Sequence, residues 1–118
     1  MTKKKCKLEI GKFYHSYGGG RHPSYLYKKN EPLKTYTSIK FGTTQGKDSI
    51  PIHSIDQKKE SFVNKRPFEG TRKDYGDHEL LGLVIDERDY PLIEKIKRRK
   101  PKISKRAKEK YKKMPSSD

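Results

Sequence analysis

The sequence is poor in the residues that build disulfides, membrane spans and large cores. It contains a single cysteine, Cys6, and no tryptophan, and only 29% of its 118 residues are hydrophobic. One cysteine cannot form an internal disulfide, which fits a reducing compartment. No apolar stretch approaches the roughly 20 residues of a membrane span. No apolar segment follows the basic start at residues 1–5 either, so we expect no secretory signal and a cytoplasmic protein.

Acidic residues are also few relative to basic ones. The chain carries 30 Lys and Arg against 15 Asp and Glu, a formal net charge of +15, which favours a polyanionic partner and nucleic acid first. Residues 95–113 hold twelve basic side chains and one acidic one, Glu109, for a net charge of +11. This segment is interpreted either as a solvated, partly disordered tail or as an arm lying along phosphates, and both can hold.

Length and alternation predict one small domain that is mainly β. The clearest strand is Thr35–Phe41, in which Thr35, Thr37, Ile39 and Phe41 share one face. Further strands are predicted at residues 6–10 and 13–14 with a break near Gly11, and at residues 24–28, 50–55 and 62–63. Residues 64–79 are predicted to form a long polar loop, and its length suggests a function.

One helix is predicted near the end of this domain. Asp89 is placed to cap it, Pro91 stands in its first turn, and Pro101 ends it. Leu92, Ile93 and Ile96 form its apolar stripe. We therefore expect a domain over residues 1–99 and a basic, partly disordered or helical tail over residues 100–118. The fold class is mainly β with one or two C-terminal helices.

The histidines do not suggest a metal centre. His15, His22, His53 and His78 match no zinc-ligand spacing, and scattered surface or strand-edge histidines are the simpler interpretation. The glycines before Arg21 lack the following G-K-[ST] of a phosphate loop. No metal and no cofactor are expected.

A group of side chains that could carry out catalysis is expected where two predicted strands end. Arg21 and His22 begin one strand and Thr43 and Thr44 end the next, so antiparallel pairing would bring them together. An imidazole with an ordinary pKa of about 6.5 exchanges protons near neutral pH. A cation such as Arg21 or Lys47 can neutralise a phosphate in the transition state. The group suits phosphodiester chemistry, and a simple hairpin turn is the alternative.

These same residues resemble the MazF/PemK toxins. The motifs are Gly19-Gly20-Arg21-His22-Pro23, then Thr43-Thr44 with Lys47 and Pro51 beyond, and Leu83–Asp89 before a short helix. The resemblance covers about residues 8–99. It implies a small SH3-like β-barrel, usually dimeric, that cuts single-stranded RNA without a metal and is neutralised by an antitoxin. It puts His22 where the family has a basic catalytic arginine, with Arg21 one place earlier.

Aromatic residues beside cations independently favour RNA. Such pairs let bases stack on rings while cations hold the backbone. Tyr75 in the 64–79 loop is predicted to bind in this way, whereas Phe41 and Phe62 are assigned to the core. The residues predicted to bind substrate are Lys47, Arg66, Arg72, Lys73, Tyr75, Lys97, Arg98, Arg99 and Lys100.

Different classes of function therefore remain open. The first is a metal-independent endoribonuclease using His22, Arg21, Thr43 and Thr44. The second is a non-catalytic basic module that binds RNA or DNA, or an acidic protein partner, through residues 64–79 and 95–113. A third is an inhibitor, encoded by a phage or plasmid, that occupies a host protein's nucleic-acid site.

Overall fold

The computed structural model describes residues 8–17, 21–43, 46–53, 55–56 and 60–113. These residues form a mainly β structure with two short C-terminal helices. The strands are β1 (Phe13–Ser16), β2 (His22–Asn30), β3 (Thr35–Gly42), β4 (Ser49–Ile52), β5 (Ser61–Asn64), β6 (Phe68–Gly70) and β7 (Lys102–Ile103). The helices are α1 (Tyr90–Lys97) and α2 (Lys105–Lys113), and residues 72–74 and 87–89 form short 3₁₀ turns.

Strand β3 is the centre of the sheet. It pairs with β2 along one edge, and along the other edge it pairs first with β6 and then with β5. The path β1-β2-β3-β5-β4 forms the main order, while β7 extends β6. Every pair is antiparallel except β6 with β7. In this path β4 is a terminal strand, where the missing N–H of Pro51 is tolerated.

Both faces of β3 are covered, because its alternate side chains enter two different cores. Ile39 and Phe41 belong to a cluster with Phe13, Val63 and the helix α1 residues Ile93 and Ile96. Tyr36 points the other way, into a cluster with Leu8, Tyr14, Leu26, Phe68 and Tyr75. Two small cores on opposite faces explain how so few apolar residues stabilise the sheet.

The central strand and the first helix are confirmed as predicted. Strand β3 covers the predicted residues, and α1 starts directly after Asp89 with a proline in its first turn. Ile93 and Ile96 are buried in the core as the apolar stripe requires. The carboxylate of Asp89 does not cap the helix; it accepts hydrogen bonds from the backbone N–H and the ring Nδ1 of His53.

The prediction of a polar loop over residues 64–79 is wrong. This stretch contains β6, and Phe68, Glu69, Thr71, Asp74 and Tyr75 are all buried within it. A strand of three residues is too short for sequence alternation to detect. This strand forms because it pairs with β3 and β7, and both pairings are long-range contacts.

The end of the basic segment folds onto the sheet. β7 pairs with β6, and α2 packs beside β6 with Ala107 fully buried. Residues 105–113 are helical, which is one of the two forms expected for the tail, and they contact the sheet; the division at residue 100 stays a prediction. Among these residues, no helix is both long and apolar enough to cross a membrane.

Candidate nucleic-acid interface

The start of β2 and the end of β3 lie side by side, as antiparallel pairing predicts. Ser24 pairs with Lys40, so His22 stands next to Gly42 at the end of the ladder. A Cβ atom on Gly42 would lie 3.7 Å from Nδ1 of His22. His22 is also the register partner of Ser16 on β1. The imidazole therefore lies at a crowded three-strand edge.

A second imidazole, His15, lies near Arg21. Nη2 of Arg21 is 3.2 Å from Nδ1 of His15. Partial burial, together with the nearby guanidinium, lowers the pKa of His15 below its usual value. His15 therefore tends to be neutral near pH 7, which suits a proton acceptor.

The predicted catalytic residues do not converge on one face. His22 shares a face with its partner Ser16, whereas His15 precedes Ser16 on β1 and points to the other face. The Arg21 guanidinium lies beside the His15 ring. It is therefore on the side away from His22, although Arg21 and His22 are adjacent in the sequence. Thr43 is exposed just beyond β3, Lys47 is exposed in the following turn, and Thr44 lies outside the described residues.

A half-buried lysine lies on the His22 face. Lys40 is the register partner of Ser24, two residues along β2 from His22. Its Nζ is 4.0 Å from the centre of the Phe68 ring. Burial, followed by repulsion from Lys102, lowers the pKa of Lys40 to about 8 although Asp74 opposes the shift. An anion bound here would favour the charged lysine and relieve part of this cost.

Further cations lie on the segments that flank β6 and β7. Lys102 belongs to β7 and pairs with Phe68, the residue under the Lys40 ammonium. Nε of Arg66 donates a hydrogen bond of 3.4 Å to the carbonyl oxygen of Lys100. Arg66 thereby joins the β5–β6 connection to the segment that follows α1. We call Lys40, Arg66, Lys100 and Lys102 the β6–β7 cation cluster.

Two buried carboxylates hold the basic helix α2 in place. Asp74 accepts hydrogen bonds from Oγ of Ser104 (2.7 Å) and Nη1 of Arg106 (3.0 Å). Glu69 accepts hydrogen bonds from Oγ1 of Thr35 (2.7 Å) and from the hydroxyl of Tyr111 (2.6 Å). The hydrogen bond to Glu69 also raises the pKa of Tyr111 to about 12. The two acids thus face inward. Lys105, Lys108, Lys112 and Lys113 of α2 are exposed, whereas Lys110 donates hydrogen bonds to the carbonyl oxygens of Leu33 and Lys34.

Two of the residues predicted to bind substrate have structural contacts instead. Tyr75 is 2% exposed, and its hydroxyl contacts Oγ of Ser38 and donates to the carbonyl oxygen of Tyr36. The prediction that its ring stacks on a base is wrong, because a buried ring offers no face to a ligand. Arg72 donates to the carbonyl oxygens of Tyr75 and Gly76, which fixes the end of the 3₁₀ turn.

The other predicted cations remain near the surface. Lys73, Arg98, Arg99 and Lys100 are exposed. Lys97 is partly buried, bonds Glu94 at 2.9 Å, and lies 5.9 Å and 5.4 Å from the ring centres of Tyr25 and Tyr27.

Sequence reasoning did not single out Lys40 and His15, and it counted Lys102 only as one of the cations of residues 95–113. Lys40 was detectable in part, because alternation on β3 places it on the face of Tyr36 and Ser38. Nothing local to the sequence places Lys102 next to it, because that neighbour depends on the parallel β6–β7 pair.

No metal centre is found in the part of the chain that the structure describes, where no three His, Cys, Asp or Glu side chains come close enough to hold an ion. No protein-family model matches the chain, and no curated protein and no solved structure is significantly similar to it.

Proposed function

We propose that the protein binds nucleic acid, with single-stranded RNA as its ligand, through the cations of residues 95–113 and the β6–β7 cation cluster. One observation carries the proposal. The segment with a net charge of +11 lies on folded elements, α1, β7 and α2, and ten of its twelve cations are exposed. Cations held in a fixed arrangement lose less freedom when they contact phosphates than cations on a disordered tail.

The position of the acidic residues supports the same proposal. Asp74 and Glu69, the two acids of the sheet side that bond α2, are both 4% exposed and are occupied by internal hydrogen bonds, while Glu109 on α2 itself is exposed and lies 3.6 Å from Nζ of Lys112. These two buried carboxylates therefore contribute little repulsion towards a phosphate bound on the outer surface. An acidic protein could use the same cations, and competition with RNA distinguishes that partner.

Salt dependence tests the proposal. Fluorescence anisotropy with a labelled single-stranded RNA should show affinity falling steeply with salt, and removing one lysine–phosphate interaction should reduce the slope of log K against log salt by about 0.7. The double variant Lys105→Gln/Lys108→Gln should weaken binding and flatten this slope. Arg88→Gln is the matched control, since the Arg88 guanidinium is exposed and already paired with Asp86 at 2.8 Å. A salt-insensitive complex, or equal effects of both variants, would contradict the proposal.

RNA cleavage of the MazF/PemK type is the second candidate. It is favoured by two imidazoles, His15 and His22, and the guanidinium of Arg21 near one strand-end edge. The SH3-like barrel, a homodimer and an acidic antitoxin belong to this candidate. As the resemblance implies, His22 would exchange a proton with the RNA, Arg21 would stabilise the charged phosphate and Thr43 would donate a hydrogen bond; because Arg21 and His22 lie on opposite faces, the RNA must pass around the strand end to meet both.

Cleavage is tested separately from binding. Pure protein with labelled RNA in EDTA should give products with a cyclic phosphate and a free 5′-hydroxyl. His22→Ala should abolish cleavage while leaving affinity largely unchanged, and His78→Ala, an exposed histidine, is the control. Intact RNA under all conditions, together with salt-dependent binding, would support the non-catalytic module alone.

A further inference from the structure

A cavity of about 440 Å³ lies between α1, strands β1 and β2, and the segment of residues 79–85. Its volume falls within the range of roughly 300–1,000 Å³ that is typical of small-molecule sites. The lining includes Phe13, Tyr25, Leu81, Val84, Tyr90 and Lys97. Of the cations that the proposed function uses, Lys97 lines this space.

Large apolar side chains at the cavity are exposed. Leu81 is 81% exposed, Val84 is 55% exposed and Tyr90 is 51% exposed. Scattered apolar residues on a surface are ordinary, but several around one cavity indicate a binding site. Residues 80–85 form no strand, so this wall of the cavity is irregular backbone.

Two ion pairs give the cavity a polar part. Nζ of Lys12 is 3.2 Å from Oε1 of Glu79, and Nζ of Lys97 is 2.9 Å from Oε1 of Glu94. A carboxylate offers about four acceptor positions, so each retains capacity beside its lysine. The cavity therefore presents acceptors to a ligand that carries N–H donors.

The aromatic part of the cavity adjoins the basic surface. The rings of Phe13 and Tyr25 pack with centres 5.3 Å apart, and Lys97 lies over Tyr25. Lys97 is followed directly by the exposed cations Arg98, Arg99 and Lys100. A ligand that entered the cavity would thus have phosphate-binding groups at its exit.

We propose that this cavity binds one nucleobase of a single-stranded RNA, with guanine preferred. The assignment rests on the proposed nucleic-acid binding and specifies which part of the RNA the protein recognises. The base lies against the aromatic and apolar residues, and the adjacent ring N–H and amino group of guanine donate to the carboxylates of Glu79 and Glu94. The neighbouring nucleotides then continue towards Arg98 and Lys100.

The ion pairs favour a base over an apolar side chain of a protein partner. An apolar group filling the cavity would remove water from Lys12, Glu79, Glu94 and Lys97 without replacing its hydrogen bonds, which is costly. A nucleobase covers the apolar residues and supplies donors to the carboxylates.

Neutral nucleosides test the cavity without any contribution from phosphates. In NMR spectra of the methyl-labelled full chain, guanosine should shift the Leu81, Leu83 and Val84 resonances, and inosine, which lacks the amino group, should bind about tenfold more weakly. Tyr90→Ala should weaken guanosine binding about fivefold or more. Tyr17→Ala is the matched control, since Tyr17 is a similarly exposed tyrosine, at 47%, that does not line the cavity.

The RNA measurements separate failure of this assignment from failure of the proposed function. Salt-dependent RNA binding that is equally tight with an abasic oligonucleotide, and no methyl shift with any nucleoside, would overturn the cavity assignment alone. Guanosine shifts without RNA binding would overturn the proposed function and the RNA as ligand, and would leave the cavity as a site for a free nucleoside. Methyl shifts caused by an acidic peptide with apolar residues, and by no nucleoside, would overturn the assignment in favour of a protein partner.

Discussion

Nη1 of Arg106 lies 3.0 Å from Oδ1 of Asp74, so a solvent-facing cation of α2 is bound to a carboxylate that is only 4% exposed. Asp74 also accepts a hydrogen bond of 2.7 Å from the backbone N–H of Thr71. One side chain thus joins the turn after β6 to the basic helix. This contact makes the outer cations part of the folded domain.

Removing the Asp74 carboxylate should destabilise the fold and loosen α2. Asp74→Ala leaves the Thr71 N–H and the Ser104 hydroxyl without their acceptor, at a cost of about 2–4 kcal/mol. Urea denaturation followed by circular dichroism measures the loss. Arg106→Ala is the control and should cost no more than about 1 kcal/mol, because the Arg106 side chain is 58% exposed. Equal losses in the two variants would contradict this role of Asp74.

Acid should weaken the same contact. Burial raises the pKa of Asp74, but hydrogen bonds from Ser104, Thr71 and Arg106 outweigh it and hold the pKa below its usual value. A carboxyl whose folded pKa is depressed stabilises the protein above its unfolded pKa, about 3.9, and this contribution is lost as the pH falls through the folded pKa. Urea midpoints measured from pH 6 to pH 3 should therefore fall less in Asp74→Asn than in the wild type. Parallel curves would contradict the assignment.

Lys40 should titrate near pH 8. Its folded pKa of about 8 lies below the ordinary lysine value of 10.5, so the charged form is disfavoured in the folded state. The cost is present at neutral pH and is relieved as the pH rises through about 8 towards 10.5, so Lys40 should make stability increase over that interval. The Cε resonance followed by NMR should show this midpoint, and RNA should move it upward. A midpoint of 10 or above would contradict the burial argument.

Tyr75→Phe should reduce stability without changing RNA affinity. The variant removes the hydroxyl that bonds Ser38 and the Tyr36 carbonyl, at a cost of about 1–3 kcal/mol, while the buried ring remains. Unfolding and anisotropy measurements on the same variant separate the two effects. A large loss of affinity with unchanged stability would restore the binding role first expected for Tyr75.

Gly70→Ala should destabilise the protein strongly. A Cβ atom at Gly70 would lie 2.7 Å from Cβ of Asp74 and 2.9 Å from Cε2 of Phe68, so β6 or the following turn must move, at about 1–3 kcal/mol or more. Gly46→Ala is the matched control, since its nearest neighbour would be Oγ of Ser49 at 4.0 Å. Comparable melting temperatures for the two variants would contradict the close approach.

The sequence by itself determined the elements whose signals are local. Alternation located β3, and the proline after Asp89 with the spacing of Ile93 and Ile96 located α1. The adjacency of the His22 and Gly42 ends also followed from local pattern, because consecutive strands joined by a short turn pair antiparallel. Each of these features is determined by residues that are close to one another in the sequence.

The tertiary structure alone decided which charged and aromatic residues are available to a ligand. It buried Tyr75, placed Lys40 beside Lys102, and turned His15 and His22 to opposite faces. It also bound α2 to Asp74 and Glu69, two acids more than 30 residues away from their partners in the chain. Composition gives the number of charges, but burial and long-range pairing determine which charges remain exposed. Contacts of this kind form between segments far apart in the chain, and neither segment carries a local signal of the other.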